Sequence, residues 1–294
     1  MNEKFNLEKK ESTSEKPALT MYLLRHGQSE KDKTKANRGL TEKGEQQVTE
    51  SMQNIIKDLI KENNPDFKNW DDEKKLEDEA KKTVKNIEFH LRDSGTDRTI
   101  QQVLHEYSFL KNLEIDDNNI YMPKSIFEYK NTEIDKKAGP GIAKRLKGVQ
   151  GLDKNPEFRL KLKNPEYRKK VEATGDLMAW AKTPEDEIPK GIEKRSEMET
   201  RYKQDITRAE RVIKHLIKNY KKRIIVIANS HASIATLAAG QELEIPVDKL
   251  LDKSGEMPEA QGLKYDFYKG DKIHKTKAFG KNIEEDIIEL KQEK

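Results

Sequence analysis

Apolar and polar positions along the chain fall into a repeated order: a short apolar run, a polar turn, then an apolar stripe at helical spacing. Ala18 to Leu24 is the first run, and Gly27 ends it. Its length and composition predict a buried strand. Residues 28–39 are polar and close on Arg38-Gly39, which reads as a loop. Thr41 is placed to cap a helix, with Glu42 in the first turn. Val48, Met52, Ile55, Ile56, Leu59 and Ile60 then recur at spacings of three and four, one apolar helix face. Asn63-Asn64-Pro65 stops it. Residues 66–85 are mostly Asp, Glu and Lys around a lone Trp70 and read as a solvated helical insertion. Ile87, Phe89 and Leu91 alternate with polar residues, as in a strand. A polar turn from Asp93 to Arg98 leads into a second helical stripe, Ile100, Val103, Leu104 and Tyr107. Tyr121 to Tyr129, carrying Ile126, Phe127 and Glu128, reads as a short strand.

Regular periodicity is lost over 130–190, where glycines and prolines recur. Lys154-Asn155-Pro156-Glu157-Phe158-Arg159 is echoed by Lys163-Asn164-Pro165-Glu166-Tyr167-Arg168, which suggests two helical turns capped by Asn and started by Pro. Met198, Tyr202, Ile206, Ala209, Val212, Ile213, Leu216 and Ile217 predict a long amphipathic helix. It runs into Lys221, Lys222 and Arg223, cations suited to a helix C-terminus. Ile224 to Ala228 is apolar on both faces, the mark of a central parallel strand. It leads into Asn229-Ser230-His231 and a small-residue helix from Ala232 to Gly240. Leu263 to Tyr268, a Gly270-Asp271 turn and Ile273 to Ala278 read as a hairpin, and a charged helix ends the chain. Repeated strand-to-helix units of this kind argue an α/β domain with a mostly parallel sheet. The expected organisation is a disordered tail over 1–18 and a single domain over 19–294, carrying the polar insertion 66–85 and a basic insertion at about 130–190.

Composition narrows this picture. Hydrophobic residues make up 33% and charged residues 38%, so the surplus charge belongs in tails and surface helices. Lys+Arg 58 against Asp+Glu 54 is close to balance and makes no global case for nucleic acid. With no cysteine, disulfides, thiolate zinc sites and cysteine nucleophiles are excluded. No run approaches the ~18 apolar residues of a membrane span, and Met1 to Lys16 lacks the apolar segment of a signal peptide. A soluble, cytoplasmic protein is expected. Charge is concentrated locally: Lys136 to Lys170 holds twelve Lys/Arg and three Asp/Glu, a net of +9, against +4 for the whole chain. It reads either as a solvated lysine-rich surface or as an electropositive cap that steers anionic substrates.

Candidate chemistry sits at the strand ends. His26, Arg98 and His231 each follow a predicted strand, and ligands of open α/β sheets bind beyond the carboxyl ends of strands. Arg25 and Arg98 offer forked donors that match phosphate. Helix starts after Gly27 and after His231 add backbone N–H groups. A neutral imidazole at His26 can attack phosphorus and form a covalent intermediate. The nearby arginines and second histidine would disfavour its protonation. A carboxylic acid must then protonate the departing alkoxide and later activate water.

Leu24-Arg25-His26-Gly27-Gln28-Ser29, Gly39-Leu40-Thr41-Glu42-Lys43-Gly44 with Gln47, Ser94 and Arg98 with Gln102, and Val226 to His231 together resemble the histidine phosphatase superfamily, also called phosphoglycerate mutase-like. The resemblance covers roughly 19–129 and 190–270. It implies a three-layer αβα sandwich with a mostly parallel central sheet and a helical cap insertion. It implies His26 as the phosphorylated nucleophile, Arg25 and Arg98 as phosphate ligands, His231 completing the pocket and Ser29 contacting phosphate, with no metal and no cofactor. Many members place a Glu about thirty residues after the second arginine, near a strand end; Glu128 stands there, with Glu133 next and Glu106 disfavoured in mid-helix. Asp32 stands where the mutase branch has Asn, and the mutase Glu-Arg-x-Tyr-Gly signature is absent near Glu128. Both point to hydrolysis of an anionic phosphorylated substrate rather than mutase activity. The alternatives are a phosphohistidine or phosphoprotein phosphatase without a catalytic Glu, and a non-catalytic protein that binds phosphorylated ligands.

Overall fold

The computed structural model describes residues 16–30, 39–123, 180–219, 221–254, 257–269 and 275–292. Asp32, Glu128, Glu133 and the basic stretch 136–170 lie outside the described residues, as does most of the expected cap. Six strands are described: β1 (Leu19–Arg25), β2 (Ile87–Arg92), β3 (Ile120–Tyr121), β4 (Arg223–Ser230), β5 (Gly262–Phe267) and β6 (Lys275–Phe279). The helices among the described residues are α1 (Glu42–Asn63), α2 (Glu73–Val84), α3 (Asp97–Asn112), α4 (Arg195–Asn219), α5 (Ala232–Glu242), α6 (Val247–Ser254) and α7 (Lys281–Gln292).

The sheet order is β3-β2-β4-β1-β5-β6. Pairings β1 with β4, β2 with β4 and β2 with β3 are parallel, while β5 pairs antiparallel with both β1 and β6. Among the described strands β5 is therefore the one opposed to the others. The doubly apolar Ile224–Ala228 run is central, as its pattern predicts, because both of its faces must be covered. Alternation along the strands sorts side chains into two cores. Tyr22, Leu24, Phe89, Leu91, Ile225 and Ile227 pack with Met52, Ile55 and Leu59 of α1 and Val103 of α3. Leu19, Met21, Leu23 and Ile224 pack with Tyr202 of α4, Ala235 and Ala238 of α5 and Ile283 of α7. Helices thus flank both faces of a mostly parallel sheet, the three-layer αβα arrangement expected above.

Register places the site. Arg25 lies opposite Ser230 and Arg92 opposite Ala228. The carboxyl ends of β1, β4 and β2 therefore finish together, and the residues that follow them share one rim.

Of the expected strand Tyr121 to Tyr129, residues 124–129 lie outside the described residues, and β3 is the part described. Two details depart from the sequence pattern. The polar insertion 66–85 is half docked: α2 buries Ala80 and Val84, and Phe67 and Trp70 pack against the same core as α1. Helix α6, unforeseen by periodicity, buries Leu250 and Leu251. Of the expected tail over 1–18, residues 1–15 lie outside the described residues, and 16–18 lead directly into β1. Pro17 is buried, and the N–H of Ala18 bonds to the carbonyl of Phe267.

Candidate active site

β1 delivers Arg25 and His26 to the rim, and a ring of hydrogen bonds holds the turn they begin. The N–H of His26 donates to the Ser230 carbonyl at 3.0 Å. Gly27 N–H donates to Oε1 of Gln102 on α3 at 3.0 Å. Gln28 N–H donates to Oε1 of Gln47 on α1 at 2.9 Å. Helix α1 starts against this turn: Thr41 caps it, its hydroxyl accepting from Gly44 N–H, and the Thr41 N–H bonds to the Gln28 carbonyl. Gly44 and Gly27 have no side chain because none fits. A Cβ on Gly44 would stand 2.1 Å from the Gln28 carbonyl oxygen, and one on Gly27 would stand 2.5 Å from the Gly44 oxygen.

His26 is buried, and its Nδ1 lies 2.7 Å from the Gly27 carbonyl. A carbonyl can only accept, so Nδ1 carries the proton and Nε2 keeps its lone pair. Burial pushes the imidazole down to about 3; the Gly27 bond opposes that, and Arg98, His231 and Arg25 add to it. His26 is thus neutral at physiological pH, in the tautomer that carries its lone pair on Nε2.

His231 faces it. The two rings are 5.5 Å apart between centroids, edge to face. Arg98 Nη2 lies 3.3 Å from His231 Nδ1. A guanidinium only donates, so Nδ1 accepts and Nε2 bears the proton, which goes to Ser94 Oγ at 3.1 Å. The Ser94 hydroxyl donates to Thr99 Oγ1, which donates to the Thr96 carbonyl at the start of α3. Burial, then Arg98 and Arg25, lowers His231 to about 4. Arg25 donates from Nη1 to the Met257 carbonyl at 2.6 Å, and its Nη2 lies 3.9 Å from Oε1 of Glu259. Ser29 is half-buried and forms an isolated antiparallel bridge with Leu40.

The structure therefore brings Arg25, His26, Arg98 and His231 to one rim. No protein-family model and no curated protein matches the chain. Solved structures do. A phosphoglycerate mutase from Bacillus anthracis str. Sterne is 14% identical, over 93% of this chain and 96% of that one, with a TM-score of 0.42. A mycobacterial glucosyl-3-phosphoglycerate phosphatase is 12% identical over 88% and 97%, at 0.41. The alpha-ribazole phosphatase from Shigella flexneri is 12% identical over 89% and 96%, also at 0.41.

Behind the rim lies a buried polar knot. Gln102 Nε2 donates to Asn229 Oδ1 at 2.6 Å and to Glu106 Oε1 at 3.1 Å, and Asn229 Nδ2 donates to Glu106 Oε2 at 2.9 Å. Glu106 is 1% exposed. Burial raises its carboxyl to about 8 against the pull of the two amides. Its place in mid-helix, which disfavours it as an acid, makes it a brace for Gln102. The signal was present in sequence: Thr99, Ile100, Gln102, Val103, Glu106 and Leu110 form the buried face of α3, so three polar residues sit inside an apolar stripe. Glu259 had no such signal, since it lies in a loop without periodicity.

Proposed function

We propose that the chain is a phosphoric monoester hydrolase of the histidine phosphatase type, acting through a phosphohistidine on His26. The observation that carries this reading is the tautomer of His26. Its Nδ1 proton is committed to the Gly27 carbonyl, and its Nε2 lone pair is available beside two arginines and a second imidazole. A pocket that only bound phosphate would gain nothing from withholding the proton of that imidazole.

In this reading Nε2 of His26 attacks phosphorus and the bond to the ester oxygen breaks. Arg25 and Arg98 leave their protein partners for the equatorial oxygens, where forked donors stabilise the spread charge. His231, freed from Ser94, donates its Nε2 proton to a phosphoryl oxygen. The departing alkoxide takes a proton from a carboxylic acid, assigned here to Glu128 with Glu133 as the alternative. The resulting carboxylate then takes a proton from water as its oxygen attacks phosphorus, the P–N bond breaks, and phosphate leaves. Neutral His26 is regenerated. The substrate class is a phosphorylated small molecule, and the charge of 136–170 would draw it in.

The test is phosphate release across a panel of small phosphomonoesters, with acid-labile phosphoenzyme trapped in parallel. Wild type turns over at least one ester, and His26→Ala abolishes both signals. Glu128→Ala loses ester hydrolysis while retaining the fold; undiminished turnover in that variant removes Glu128 from the mechanism. No release and no trapped phosphoenzyme across the panel would end the enzymatic reading.

A further inference from the structure

Glu259 touches neither histidine, yet it ends an unbroken line of hydrogen bonds that begins at His26. The imidazole Nδ1–H donates to the carbonyl of Gly27. The N–H of the same peptide group, on Gln28, donates to Gln47 Oε1. The amide of Gln47 then donates from Nε2 to Glu259 Oε2 at 3.1 Å. Every direction along this line is forced. The backbone N–H can only donate, so Gln47 must turn its oxygen toward Gln28, and that leaves only its NH2 to meet a carboxylate that accepts. Two planar amides therefore stand in series between an imidazole and a negative charge, each donating on the side away from His26.

We propose that Glu259 is a positioning residue for His26, acting through Gln47 and the Gly27–Gln28 peptide. The carboxylate polarises the Gln47 amide, that amide polarises the peptide, and the Gly27 carbonyl becomes a stronger acceptor for the imidazole proton. Hydrogen bonds aligned in one direction strengthen one another, more so away from water. The effect on His26 is twofold. Its ring is held with Nε2 toward the rim, and electron density is pushed toward that nitrogen. No proton moves along the line. This is the work that a directly bonded carboxylate performs for other functional histidines, carried here through two amides. It matters because burial, and then Arg98, His231 and Arg25, all act against a positive imidazole. The inference rests on His26 being the nucleophile.

Glu259 also lies 3.9 Å from Arg25, so a direct action on phosphate binding is the competing account, and the experiment separates the two. Glu259→Gln keeps an oxygen that can accept from Gln47 but removes the charge. Its single-turnover rate of phosphoenzyme formation falls roughly tenfold, the low end of what outer partners of a functional histidine carry, while KM stays within about twofold because every side chain proposed to hold phosphate is retained. Gln47→Leu breaks the line one step earlier. In that background Glu259→Gln causes no further loss. Equal losses in both backgrounds, or a raised KM at unchanged kcat, assign Glu259 to Arg25 and overturn the proposal. A readout independent of turnover accompanies the kinetics: in proton–nitrogen NMR the His26 Nδ1–H and Gln28 N–H resonances both move upfield in Glu259→Gln. Unmoved resonances sink the relay even if the enzyme is active. Moved resonances in a protein that never releases phosphate uphold the relay and retire only the enzymatic reading.

Discussion

Gln102 shows how much of this site depends on single buried amides. Its oxygen takes the Gly27 N–H, and its nitrogen serves both Asn229 and Glu106. Gln102→Leu fills similar space but strands one backbone donor and an acceptor on each of Asn229 and Glu106, so it should cost about 2 kcal/mol of stability. Phosphate release should fall in the same variant, because the turn carrying His26 loses one of its anchors. Urea unfolding and the ester assay on one preparation check both. At this scale the sequence was informative wherever chemistry coincided with chain punctuation. Arg25 ends β1, His26 and His231 directly follow β1 and β4, and Arg98 opens the helix beyond β2; the pattern of strands can be read from alternation. The braces were harder to see. Gln47 and Gln102 are visible as residues, but what they hold depends on which helix packs over which strand end. Glu259 reaches Gln47 across 212 residues of chain, and no local pattern encodes that meeting.

Helix α1 and the turn after β1 are built as one piece, and the glycines measure how closely they fit. A methyl at Gly44 would stand 2.1 Å from the Gln28 carbonyl oxygen, far inside contact, and that oxygen cannot retreat without losing its bond from the Thr41 N–H. Gly44→Ala, harmless by helix propensity, should therefore destabilise by more than about 2 kcal/mol, the range of severe overpacking, and should lose activity with it. Thr41→Ala removes only the cap and should cost about 1 kcal/mol. Thermal unfolding of the pair separates steric from capping effects. Elements with long stripes, such as α1, α3 and α4, were legible because a 3.6-residue period repeated over several turns leaves little ambiguity. Helix α6 spans Val247–Ser254, too short for its period to stand out. The C-terminal hairpin was visible as a pair of runs, but its pattern could not say that β5 would lie against β1 in the opposed direction. That choice is made by tertiary fit, with Gly262 allowing the approach: a Cβ there would stand 1.9 Å from the Leu23 oxygen.

Across the whole molecule, the groups buried with the site should set how stability follows pH. Burial holds His26 at about 3 and His90 and His231 at about 4, all below the 6.5 of a free imidazole. Between those values and 6.5 the unfolded chain binds protons that the folded chain refuses, so folding stability rises with pH over that span and is lost as pH falls through it. Glu106 acts in the other sense. Its carboxyl sits at about 8 when folded, against an ordinary value of 4.5, so between the two the folded chain keeps a proton that the unfolded chain releases. Its contribution is full below about 4.5 and declines as pH climbs toward 8. From about 4.5 to 6.5 the histidines outnumber the carboxyl and the net slope is upward. Above 6.5 they are neutral in both states, and Glu106 alone pulls stability down. These groups therefore place a maximum near pH 6.5, with the alkaline limb belonging to one residue. Glu106→Gln keeps the size and removes the titration, at the loss of one amide bond, since its NH2 cannot accept as the second carboxyl oxygen does. Denaturant midpoints measured at pH 4, 6.5 and 8.5 should fall on both sides of the maximum in wild type. In Glu106→Gln the midpoint should fall only on the acid side. An unchanged alkaline decline in that variant would show that Glu106 is already ionised in the fold and braces Gln102 as a carboxylate.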